Sequence, residues 1–98
     1  MADKRWFEKR APKMAEGWWN FYNATDEEGA LDKKTKALVA VAVALHGRCK
    51  HCTESRIKKA ISLGISKEEI AETIVFTGLL SSGTDLFWAK DIYEKYLD

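Results

Sequence analysis

One proline and two cysteines stand in 98 residues, and no apolar run exceeds the nine residues 37–45. Two cysteines are too few for the multi-bridge scaffold of a small secreted protein. The nine-residue run falls well short of the roughly 20 apolar residues that span a bilayer, so no membrane association is expected. Sixteen Lys and Arg against fifteen Asp and Glu leave a net charge of +1. Such a balance provides no field strong enough to point at nucleic acid or anionic lipid. The residues from Met1 to Trp6 hold basic side chains but no apolar signal core, and a cytoplasmic location is expected.

What is present argues for a folded, helical chain. Hydrophobic residues make up 46% and aromatics 11%, too rich for a disordered segment. Asn-Gly and Asp-Gly hairpin signals are missing, so strands have no obvious turns to join them. The reading is a single all-α domain over residues 1–98, a compact bundle of about five to six helices. A short helix is expected over residues 4–10. Pro12 then suits the first turn of a second helix running to about Asn23, with Met14, Trp18, Phe21 and Tyr22 on one stripe. Residues 24–31 read as a loop, and Asp32 as the N-cap of a third helix that is apolar on every side. Gly47 is expected to end it in a left-handed conformation. A fourth helix places Ile57, Ala60 and Ile61 on one face and stops at Gly64. Ser66 and Glu69 form a capping box for a fifth, whose Ile70, Ile74 and Val75 face inward. Residues 81–84 (Ser-Ser-Gly-Thr) are expected to break the chain before a last helix with Leu86, Phe87, Tyr93 and Leu97.

A chain this short buries only about two-thirds or less of the surface its unfolded form exposes. Eleven aromatics and an all-apolar segment exceed what one such chain hides, so homo-oligomerisation is expected.

Chemistry concentrates in residues 46–56, His-Gly-Arg-Cys-Lys-His-Cys-Thr-Glu-Ser-Arg. Cys49 and Cys52, two residues apart at a helix start, can close a disulfide with little backbone movement. Helix N-terminal amides and nearby cations favour a thiolate there, and Arg48, Lys50 and Arg56 supply the cations. His46 and His51 move protons near neutral pH. Arg56, four residues after Cys52, shares its helix face, and the depressed thiolate is assigned to Cys52 on that ground. In CxxC pairs, however, the first cysteine is usually the more exposed, and the attacking sulfur stays open. Zinc is the competing reading. Structural zinc sites draw their second ligand pair from farther along the chain, so neither metal nor cofactor is expected.

The order of an apolar helix, then Cys49-Lys-His-Cys52, then Gly64-Ile-Ser-Lys-Glu-Glu69 resembles the carboxymuconolactone decarboxylase family over about residues 12–90. The CxxC is similar to that of its alkyl hydroperoxidase D-like members. The resemblance implies an all-helical protomer assembled into trimers or hexamers. It also implies thiol-dependent reduction of peroxides, or of a partner's disulfide, with a thiol reductant protein as partner. Cys49, Cys52 and His51 match the family's site. Its glutamate twelve positions before the first cysteine is Ala37 here, and its histidine four positions after the second is Arg56. Arginine stays protonated, so Arg56 stabilises a thiolate by charge and leaves His51 or His46 to carry protons. Two other functions compete: decarboxylation of a small lactone acid, and a non-enzymatic oligomeric redox-sensing or binding module.

Overall fold

The structure is a computed structural model that describes residues 6–98. The expectations for residues 1–5, including the start of the 4–10 helix, lie outside the described residues. Six α-helices follow one another: α1 Phe7–Arg10, α2 Pro12–Asp26, α3 Lys33–His46, α4 Lys50–Ser62, α5 Lys67–Trp88 and α6 Lys90–Leu97. There is no strand among the described residues, and the fold is all-α as expected. None of these helices is long and apolar enough to cross a membrane. The chain divides into two compact units, the first ending at Lys33 and the second Lys34–Asp98.

In the first unit, Pro12 sits in the opening turn of α2, where its missing N–H costs nothing. The helix runs three residues beyond the expected Asn23. Glu27 N–H bonds the Ala24 carbonyl, and the Thr25 hydroxyl bonds the Tyr22 carbonyl, so polar residues close the last turn instead of leaving it. Trp18 stacks on Tyr22 at 5.3 Å, and Phe7 and Trp19 meet Trp18 edge-on. Met14 and Phe21 remain exposed.

The second unit is built around Ala37 and Val41 of α3, Ala60 of α4, Ile65 of the α4–α5 turn and Ile70 of α5. Val41 is fully buried, and a side chain of that kind contributes about 1.5–3 kcal/mol when taken out of water. α3 is apolar all round, yet only the Ala37, Val41 and Ala44 face is covered; Val39 and Val43 are exposed. Ile74 and Val75, expected inward, are likewise exposed, as is Ile61, expected on one face with Ile57 and Ala60.

Two turns of one design join α3 to α4 and α4 to α5. In the second, Gly64 takes φ +80°, Ile65 N–H reaches back to Ala60 and Gly64 N–H to Ile61. This is a Schellman cap, whose left-handed residue is ordinarily glycine. The first turn repeats it, with Cys49 N–H on Ala44 and Arg48 N–H on Leu45. Its left-handed residue is Arg48 at φ +60°, not Gly47 as expected from glycine's usual role. Gly47 instead continues α3, its N–H bonded to the Val43 carbonyl at 2.9 Å, and a Cβ there would come 3.3 Å from that same oxygen, a tight contact that a small shift relieves. Gly64→Ala is expected to destabilise the protein by about 1–2 kcal/mol, the cost of a side chain in left-handed backbone, read as a lower urea midpoint.

Ser66 and Glu69 form the reciprocal capping box of α5. Glu69 also pairs with Lys34, which ties the start of α3 to the start of α5. The Lys34 ammonium, then the Ser66 amide, hold the Glu69 carboxyl below its usual value. A lowered folded-state value means stability that is present above the unfolded carboxyl range and lost as pH falls through the folded one. Glu69→Gln is therefore expected to lower the urea midpoint at pH 7, with the gap to wild type closing at pH 3.

Residues 81–84 do not break the chain, and α5 runs through them to Trp88. The Ser81 hydroxyl bonds the Thr77 carbonyl and that of Ser82 bonds Leu79, so both are satisfied inside the helix. Gly83 alone costs about 1 kcal/mol, too little to end a 22-residue helix. Leu86 and Phe87 consequently belong to α5 and not to the last helix.

Candidate active site

Cys49 holds two positions at once. Its backbone N–H closes the Schellman cap of α3, and its side chain is the N-cap of α4. The residue is extended (φ −92°, ψ 98°), as an N-cap must be, and Cys52 N–H donates to Cys49 Sγ at 3.1 Å. The Thr53 hydroxyl donates to the Cys49 carbonyl at 2.8 Å and fixes the turn further. Cys49 and Cys52 are joined by a disulfide across a Cα–Cα distance of 5.2 Å.

The two sulfurs differ in surroundings. Cys49 is half-buried and Cys52 exposed, the reverse of the expectation for the first cysteine of such a pair. The capping amide falls on Cys49, not on Cys52, the cysteine that the sequence reading set beside Arg56. Arg56 is half-buried one turn beyond Cys52 on α4. Charge near a helix N-terminus is stabilised by about 0.3–2 kcal/mol when it is negative, which favours a thiolate at Cys49 once the bond is reduced.

His46 lies in the last turn of α3, and its Nδ1 is 3.0 Å from Ser81 Oγ of α5. The single Ser81 hydroxyl proton goes to the Thr77 carbonyl at 2.8 Å. The hydroxyl therefore accepts from Nδ1–H, and this assigns the tautomer with Nε2 as the basic nitrogen. Ser81 is 35 residues away, and no spacing rule connects it to His46. His51 is exposed in the first turn of α4. Ala37, at the place of the family glutamate, is buried in the core and provides no proton carrier.

Beside Cys49 lies a groove of about 620 Å³, lined by Leu45, Thr53 and Ile57 together with Arg48 and Lys50, the residues on either side of Cys49 in the chain. Thr53 and Ile57 are four and eight residues after Cys49. That spacing puts all three on one helix face, a signal available in the sequence but not read from it.

Comparison with known proteins agrees with this architecture. A protein of the cox locus of Paracoccus denitrificans, itself uncharacterised, is 43% identical over 56 residues, 57% of this chain. The match takes in 50% of that relative, so the chain spans about half its length. A crystal structure of a protein from Methanobacterium thermoautotrophicum superposes with a TM-score of 0.82 at 32% identity, covering 89% of this chain and 98% of the other. The profile of the carboxymuconolactone decarboxylase family matches residues 12–94, which include the cysteine pair, both Schellman turns and the capping box. By that match and this fold, the chain belongs to the carboxymuconolactone decarboxylase family.

Proposed function

We propose that the chain is a thiol-dependent oxidoreductase whose Cys49–Cys52 pair reduces peroxides or a partner's disulfide, in a reducing compartment such as the cytoplasm. The observation that carries this reading is the bonded pair at the N-terminus of α4, with a backbone amide on Cys49 Sγ. In the reduced protein Cys49 gives up its proton to a histidine, His46 or His51. The Cys49 thiolate attacks the terminal peroxide oxygen; an S–O bond forms, the O–O bond breaks, and the leaving alkoxide takes the proton back from that histidine. Cys52, supported by the charge of Arg56, then attacks the sulfenic sulfur. A disulfide forms, and the departing hydroxide leaves as water with the Cys52 proton. A dithiol reductant closes the cycle at the exposed Cys52 sulfur and expels the Cys49 thiolate, with His51 at hand on the same surface for protons. The sulfur with the lower pKa is the better leaving group, which suits Cys49 to that role.

The working form is a homo-oligomer, a trimer or hexamer. Val39 and Val43 of α3 and a long apolar stripe on α5 are exposed in the single chain, and this supports the assembly.

The test is consumption of an organic hydroperoxide with a dithiol as recycling reductant. Many turnovers per chain, with the Cys49–Cys52 disulfide accumulating when reductant is withheld, are expected. One oxidation per chain without recycling would overturn the reading. So would decarboxylation of a lactone acid that survives Cys49→Ser combined with Cys52→Ser.

A further inference from the structure

The groove beside Cys49 carries an inference that rests on the peroxide-reducing reading and names its substrate class. At about 620 Å³ it falls in the usual range of small-molecule sites, about 300–1,000 Å³, and far exceeds what hydrogen peroxide fills. Its floor is fixed, because Leu45 and Ile57 pack against the core cluster around Val41. The floor is apolar along the face Leu45, Thr53 and Ile57, whereas the end at Cys49 is cationic. Of the charged residues around it, Lys58 and Glu54 pair at 3.1 Å and cancel one another. Arg48 and Lys50 form no ion pair among the described residues. Arg48 is held in place by its left-handed backbone and by one bond from Nη1 to the Leu45 carbonyl at 3.0 Å. A guanidinium has five N–H donors, so four remain for a ligand.

We propose that this groove binds an organic hydroperoxide bearing an acidic group: the apolar body along Leu45, Thr53 and Ile57, the acid at Arg48 and Lys50, and the peroxide at Cys49. Left-handed backbone at a non-glycine residue carries strain, which functional sites commonly retain. Here the strained residue is Arg48, which lines the same groove as Cys49. The bonds made and broken are those of the cycle above, and the acid stays ionised throughout.

The experiment compares 4-(2-hydroperoxypropan-2-yl)benzoic acid with its methyl ester on the full chain. The acid is expected to react with a kcat/KM about tenfold or more above the ester, the size of one charge-assisted hydrogen bond. Arg48→Gln with Lys50→Gln is expected to bring the ratio near one. Any loss of thiolate in that variant slows both substrates alike and cancels from the ratio. A second readout needs no turnover: 4-isopropylbenzoate is expected to slow iodoacetamide alkylation of Cys49 in the reduced Cys52→Ser protein, and its methyl ester to slow it less. A ratio near one in the wild type, or one unchanged by the double substitution, overturns the acid site, as does equal protection by acid and ester. Consumption of neither peroxide with protection intact would instead overturn the reaction and leave the acid site standing.

Discussion

Cys49→Ser is expected to lower peroxide consumption by about 10³-fold or more, equivalent to roughly 4 kcal/mol of lost transition-state stabilisation. The serine hydroxyl stays protonated near neutral pH, and the amide of Cys52 that caps Cys49 Sγ does not change that. Cys52→Ser is expected to behave differently. With no second thiol, Cys49 reacts once and stops as a sulfenic acid, trapped by dimedone and seen as a mass adduct on the peptide containing Cys49. The steady-state rate is then lost while the first turnover survives. The opposite pattern, with the adduct on Cys52 in Cys49→Ser and none on Cys49, would reverse the two roles. The asymmetry follows from position alone. Cys49 lines the groove and caps the helix, whereas Cys52 faces solvent one turn on.

Charging the apolar stripe of α5 is expected to have the second large effect. Val75, Phe76, Leu79, Leu80, Leu86 and Phe87 are all exposed, between 58% and 72%, in the single chain. They recur at spacings of three, four and seven, so they form a continuous surface along the helix. Soluble monomers rarely expose contiguous apolar patches above a few hundred Å². The wild type is therefore expected to elute with a light-scattering mass that is a multiple of 11.1 kDa. Val75→Glu with Leu79→Glu is expected to shift it to the monomer mass and to lower the melting temperature, which depends on concentration in the wild-type assembly and no longer does so in the variant. A wild-type monomer at micromolar concentration would contradict the assembly.

Much of this fold is legible in the residues, and the places where it is not share a physical cause. The capping box at Ser66 and Glu69 and the proline start of α2 are local, and both stand where the sequence puts them. The cysteine pair at a helix start is local too. The glycine at position 47 misleads because it still continues α3, its N–H bonded to the Val43 carbonyl, and the left-handed position falls one residue later on Arg48. Residues 81–84 mislead because serine hydroxyls can bond within a helix as readily as they break one. Which apolar faces are covered depends on tertiary packing, so Val75 and Ile61 carry the right periodicity and still remain exposed. For the site, the sequence identifies the thiols and the histidines but not the Ser81 hydroxyl that orients His46. That contact spans α3 and α5 and comes from the fold alone.

Cys49, held at the N-cap of α4, is proposed as the thiolate that starts the chemistry. Iodoacetamide alkylation of the reduced protein across pH, followed separately in Cys52→Ser and Cys49→Ser, tests it most directly. Cys49 is expected to titrate clearly below the ordinary thiol value of about 8.5, and Cys52 to titrate higher than Cys49. A Cys49 that titrates at or above that value, or a Cys52 that titrates lower than Cys49, would contradict the account.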